Sequence, residues 1–149
     1  MFTATSKTTA SREQVLEVLT DPDAIRTWSP VPFEVSNLDG SRLETGSRAS
    51  VRGSLAGLGV DFEVEVQAAD LERLELVARG PIGIDVRYDL APVSDGSEVT
   101  ASVSVSGGGL RGRVIAKATE ALLAGGALQG AAGRIARAAE ARPAMALAA

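Results

Sequence analysis

From Phe33 to Gly107 the chain alternates apolar and polar residues with a period of two. That is the spacing of a strand with one buried and one wet face. The clearest stretch is 60–69, where Val60, Phe62, Val64, Val66 and Ala68 share one face and Asp61, Glu63, Glu65 and Gln67 the other. In a later strand Ile84, Val86, Tyr88 and Leu90 oppose Asp85, Arg87 and Asp89, and in the last Val99, Ala101, Val103 and Val105 alternate with Thr and Ser. Residues 33–37, 47–55 and 73–79 complete the set, with Asp39-Gly40, Gly57-Leu58-Gly59, Gly80-Pro81 and Asp95-Gly96 as turns. Short turns between consecutive strands predict an antiparallel meander. One apolar and one charged face mean that it is covered on one side.

Residues 2–9 form a first strand. Ser11-Arg12-Glu13-Gln14 then has the form of a capping box, followed by Val15, Leu16 and Leu19 at helical spacing. Asp21-Pro22 ends that helix and starts a second, with Asp21 as N-cap and Pro22 in the first turn. The second helix ends near Trp28, because Pro30 and Pro32 forbid its continuation. After a Gly107-Gly108-Gly109 hinge, a helix from Leu110 to about Ala141 is the element left to cover the sheet. Residues 1–141 read as a single domain and 142–149 as a disordered tail. The order of strand, two short helices, six strands and a long helix is that of the α+β helix-grip fold. There a curved seven-stranded antiparallel sheet wraps a long C-terminal helix.

At 100° per residue, one broad face of the long helix carries Leu110, Val114, Ala118, Ala121, Leu122, Gly125, Leu128, Gln129, Ala132 and Ala136. The middle of that face is small. Either the helix presses onto the sheet, or the missing volume remains as a pocket. A pocket would be walled by Phe33, Phe62, Val64, Val86 and Val103 from the sheet and by Ala118, Leu122 and Gly125 from the helix. Three residues bring polar groups towards it. Gln129 lies near the inner helix face or at its solvated edge. Tyr88 is on the apolar side of its strand, and Trp28 either packs as plain core or lines the mouth. A mostly apolar lining with a few polar handles suits a small molecule.

Composition narrows the chemistry. The 149 residues contain no Cys and no His. Disulfides, thiol nucleophiles, imidazole acid–base catalysis and the usual zinc and haem ligands are therefore excluded. No metal site or cofactor is called for. Apolar residues make up 45% of the chain, yet no run is long enough for a membrane span. The N-terminus does not read as a signal peptide, which places the protein in the cytoplasm. The net charge of −4 argues against nucleic acid. Charge is uneven: residues 1–105 carry 9 basic and 17 acidic side chains, and residues 106–149 carry 6 and 2. The basic C-terminal portion is either a solvated helix face or a docking face for an acidic partner or lipid surface. A homodimer is compatible with all of this. Arg48, Arg52, Arg79 and Arg87 should pair across strands with the acidic residues of the outer sheet face.

Several short motifs strengthen the fold assignment. Residues 9–15 (Thr-Ala-Ser-Arg-Glu-Gln-Val), Leu19-Thr20-Asp21-Pro22 and Trp28-Ser29-Pro30 resemble the opening of the START/Bet v 1-like superfamily, particularly its bacterial polyketide cyclase/dehydrase branch. Gly46, the Leu90-Ala91-Pro92 to Gly96 turn and Ser106-Gly107 fit the same pattern. The resemblance implies a cavity for a lipid, sterol, polyketide or similar apolar ligand, in a carrier, a cyclase or an aromatase. Enzymes of this kind use polar residues inside the pocket. Here Tyr88 is the candidate catalytic residue, and a cyclase would act largely by folding its substrate into a reactive shape. The alternatives are a non-catalytic carrier or sensor, or a scaffold with a collapsed cavity.

Overall fold

The computed structural model describes residues 1–29, 32–38, 40–55, 57–107 and 109–142. The helix stop at Pro30, Asp39 of a predicted turn, Gly108 of the hinge, the Leu110 side chain and residues 143–149 of the tail lie outside the described residues. The chain runs β1 (Phe2–Thr8), α1 (Arg12–Thr20), α2 (Pro22–Trp28), β2 (Phe33–Ser36), β3 (Arg48–Leu55), β4 (Leu58–Ala69), β5 (Arg73–Arg79), β6 (Ile82–Val93) and β7 (Gly96–Gly107). It closes with α3 (Gly109–Leu122), a π-helical turn (Leu123–Ala127) and α4 (Leu128–Glu140). The strands form one antiparallel sheet in the order β1-β7-β6-β5-β4-β3-β2. This is the helix-grip architecture.

Local chemistry sets the element ends. The Ser11 hydroxyl accepts from the Gln14 amide at 3.3 Å, and the Gln14 side chain accepts from the Ser11 amide at 2.8 Å. Asp21 caps α2 by accepting from the Asp23 amide at 3.0 Å. Each cap satisfies donors that a helix start leaves unpaired.

The sheet register follows the alternation, with one correction. A bulge between Val66 and Ala68 places Ala68 opposite Glu75 and Ala69 opposite Leu74. The extra residue moves Ala69, rather than Ala68, onto the face that packs against the core. On the outer face Arg48 pairs with Glu65 at 3.6 Å and Arg52 with Asp61 at 3.5 Å, both across strands. Arg87 instead pairs with Asp89 on its own strand at 2.9 Å. Exposed pairs of this kind contribute about 0–1 kcal/mol each.

The covering helix is broken where the sequence predicts continuity. Leu123–Ala127 form a π turn, and Gly126 there has φ of 93°. Gly126 is left-handed, so two helices meet at a kink here and a face extended through it at 100° per residue loses its phase. On α4 the expected face holds: Leu128, Ala132 and Ala136 are buried, together with Ala131, Ile135 and Ala139. On α3 it has slipped by one residue. Ile115 and Thr119 are buried, while Val114 is 59% exposed.

The end of α4 is stitched to the N-terminal elements. Thr8 Oγ1 stands 2.9 Å from Glu140 Oε2 and 3.1 Å from the Ala136 carbonyl, and its single hydrogen is shared between these two acceptors. Gln14 Nε2 donates to the Arg142 carbonyl at 2.7 Å. Arg142 is not part of a loose tail: it pairs with Glu17 at 3.0 Å and with Asp21 at 2.8 Å. Its hydrogen bond holds the Asp21 carboxyl below the ordinary 3.8. A depressed folded value means that this stabilisation is present above the unfolded value and is lost as pH falls through the folded one. Thermal melts from neutral pH to about pH 3 should therefore show Asp21→Asn, which keeps a good N-cap, losing less stability on acidification below 3.8 than the parent protein. Arg142→Ala should remove the same acid dependence and lower neutral-pH stability by roughly 1 kcal/mol.

Candidate functional site: an apolar cavity under the broken helix

Two apolar clusters hold the helices to the sheet. The larger gathers Val15, Leu19, Leu74, Val99 and Ile135 around α1, α4 and the β1 side of the sheet. The smaller joins Val60, Phe62, Ile82 and Ile115 beneath α3. Between them the inner helix surface offers Ala131, Leu128, Leu123, Leu122 and Thr119, too little volume to fill the space over the sheet. A cavity of about 280 Å³ remains, partly open to solvent. Its other walls are Trp28, Ile25 and Ser29 from α2 and its end, Phe33 and Val35 from β2, Ala49 and Val51 from β3, and Phe62 and Val64 from β4. Pro22, Leu43, Gly53, Leu76, Ile84, Val86, Tyr88 and Val103 also line it. Among the described residues no Asp, Glu, Lys or Arg lines it.

The polar groups in this wall are few. Trp28 is buried; its indole N–H donates to the Val18 carbonyl at 3.1 Å. That bond fixes the ring, which meets Tyr88 edge to face with centroids 5.6 Å apart. Thr119 turns its hydroxyl onto its own helix, donating to the Ile115 carbonyl at 2.8 Å. No described group hydrogen-bonds the Tyr88 hydroxyl, and burial pushes its pKa above the ordinary 10.0. At neutral pH it is a hydrogen-bond donor and a poor base.

Eight of the sequence-predicted lining residues meet here: Trp28, Phe33, Phe62, Val64, Val86, Tyr88, Val103 and Leu122. Ala118, Gly125 and Gln129 do not. Ala118 follows the one-residue slip of α3, and Thr119 takes the inward place. Gly125 is exposed on the outside of the π turn. Gln129 is exposed too, and its Nε2 donates to the Thr5 carbonyl at 3.0 Å, covering part of the β1 edge. The alternation of β2 and β3 could have found Val35, Ala49 and Val51. Leu43 lies in an irregular segment, held by its amide to the Thr20 carbonyl at 2.9 Å, and carries no periodic signal.

Among the described residues no group of three or more Asp or Glu side chains could hold a metal ion. No described helix is long and apolar enough to cross a membrane.

A family model described as polyketide cyclase/dehydrase and lipid transport matches residues 1–140. No curated protein matches the chain. Among solved structures, protein CV1439 from Chromobacterium violaceum is 17% identical, with 94% of this chain and 96% of that one covered and a TM-score of 0.67. DynU16, a protein of the dynemicin biosynthetic locus, is 25% identical at a TM-score of 0.58. The alignment covers 94% of this chain and 47% of DynU16, so the chain spans about half of that protein's length. Ara h 8.0201 shares the fold at 14% identity and a TM-score of 0.58, with 90% and 95% covered.

Tyr88 is the one tyrosine, so its ionisation can be followed alone. The folded protein should develop no tyrosinate absorbance at pH 10, where a free phenol is half ionised. Because the raised folded value keeps the proton that the unfolded chain loses, stability should fall as pH rises above 10.0. Ordinary titration near 10.0 in the folded state would contradict the buried placement.

Proposed function

The chain belongs to the polyketide cyclase/dehydrase and lipid-transport family, and we propose that its cavity holds a hydrophobic small molecule, polyketide- or lipid-like, as a carrier or sensor. The observation that carries this reading is a space of about 280 Å³ with an uncharged, apolar wall and one unpaired hydroxyl. An apolar wall makes desolvation of a hydrocarbon favourable, by about 25 cal/mol per Å² buried. Trp28 and Phe62 supply flat surfaces, and Tyr88 offers a hydrogen bond to one ligand oxygen. Binding is favoured over general acid–base turnover on chemical grounds. A phenol held above its ordinary pKa, with no ionisable neighbour among the described residues of the wall, cannot both take and return a proton near neutrality.

Cyclisation of a bound polyketide is the second reading. It is favoured by the 25% identity to a protein of a biosynthetic locus and by the unpaired Tyr88 hydroxyl. Its rate enhancement would come from holding the chain folded, with Tyr88 donating to the oxygen on which negative charge develops.

Trp28 is the single tryptophan and stands in the wall, so its emission reports occupancy. A fitting apolar ligand should change that emission saturably. At about 100 times its Kd it should stabilise the fold by roughly 2.7 kcal/mol. Val86→Phe, which fills the cavity from the sheet side, should weaken binding by about tenfold or more while the melting temperature stays within a few degrees. Tyr88→Phe should weaken an oxygen-bearing ligand by about 0.5–1.5 kcal/mol and leave a pure hydrocarbon unaffected. An unchanged Trp28 signal across a panel of lipids and polyketide mimics would sink the binding reading. A linear precursor that cyclises no faster with the protein than without it would remove the second.

A further inference from the structure

We propose that Arg134 is the head-group site for an acidic amphiphile whose apolar chain occupies the cavity; this rests on the binding reading above and names its ligand class. A second hollow lies on the outside of the π turn, lined by Ala121, Leu122, Gly125, Gly126, Gly130 and Arg134, among others. Leu122 lines both, so it stands at the partition between the outer hollow and the apolar cavity.

Arg134 is half-buried beside that partition. Its Nε donates to the carbonyl of Trp28 at 3.1 Å, and the Trp28 ring forms the cavity wall. The guanidinium lies across Gly130, where an added Cβ would stand 3.3 Å from Nη1. A glycine there leaves room for the fork. Among the described residues, no carboxylate pairs with Arg134 and no acceptor meets either Nη. Arg142, by contrast, holds Glu17 and Asp21, and Arg42 holds Glu17, while Arg26, Arg113 and Arg137 stand exposed on their helices rather than half-buried.

A half-buried guanidinium tied by Nε alone keeps a pair of Nη groups to offer, and a carboxylate accepts two parallel N–H bonds from such a fork. Among its described residues the hollow has no acidic side chain to compete. A fatty-acid-like molecule can thus set its carboxylate on Arg134 and pass its chain beside Leu122 into the cavity. Among its described residues the cavity wall offers such a carboxylate no cation, which favours keeping the charge at the rim. A neutral hydrocarbon would use the inner space alone.

The test compares decanoic acid with its uncharged amide, decanamide, at neutral pH, read by Trp28 emission and by calorimetry. Uncharged N-phenyl-naphthylamine serves as a cavity probe. The parent protein should bind the acid about tenfold or more tightly than the amide. Arg134→Gln should lower acid affinity to that of the amide and lower amide and probe affinity by a much smaller factor, the cost of freeing the Trp28 carbonyl. Arg134→Lys, which keeps the charge without the fork, should retain part of the preference. Equal binding of acid and amide by the parent protein overturns the site and leaves the cavity reading intact, as does an Arg134→Gln variant that weakens acid, amide and probe alike. Binding of the probe without either decanoyl ligand does the same. Failure of all three ligands to bind the parent protein overturns the cavity reading and this site with it.

Discussion

A helix lying on a curved sheet can be pressed close along only part of its length. In this protein the closure is made at one end. Thr8, Gln14, Glu17 and Asp21 hold the last turn of α4 through Ala136, Glu140 and Arg142. Val15, Leu19, Val99 and Ile135 pack beneath it with no measurable exposure. Everything that makes a cavity possible follows from where this closure stops. Beyond Leu128 the helix changes direction, and only Ile115 and its few neighbours bring it back to the sheet.

The sheet was legible because a period of two is self-reporting: Phe62 and Val64 are each flanked on both sides by acidic residues, and no other element tolerates that pattern. The caps at Ser11 and Asp21 were legible for a similar reason, since their chemistry is local. The helix faces were legible only within one regular stretch. Leu128, Ala132 and Ala136 were placed correctly, but the π turn broke the phase before α3, so Val114 and Ala118 were set inward where Ile115 and Thr119 stand. Paired glycines at 125 and 126 marked a weak point in the sequence. They did not reveal that the turn would widen, which depends on where α3 and α4 are each anchored.

The site divides in the same way. Its sheet-borne wall came from alternation, and the absence of His and Cys already limited what could happen inside it. What sequence periodicity could not supply was the relation between Trp28, Tyr88 and Arg134, which lie on different elements and meet through one ring contact and one carbonyl. Trp28 is thereby fixed three ways: by its indole N–H, by its carbonyl and by the Tyr88 ring. Such a side chain is a rigid surface for a ligand to meet, which keeps the entropic cost of binding low.

The clamp at Arg142 also has a bearing on the chain during its synthesis. By Gly107 every strand has been made, and the apolar face of the sheet is complete before any residue of α3 or α4 exists. At about 5–20 residues per second, the stretch to Arg142 takes a few more seconds. Over that interval Phe62, Val64 and Val103 form an open, adhesive slope rather than the wall of a chamber. A nascent chain in this state invites chaperones and aggregation. It also presents its widest possible doorway, so an apolar molecule within reach could be enclosed as the protein is born instead of threading a finished rim.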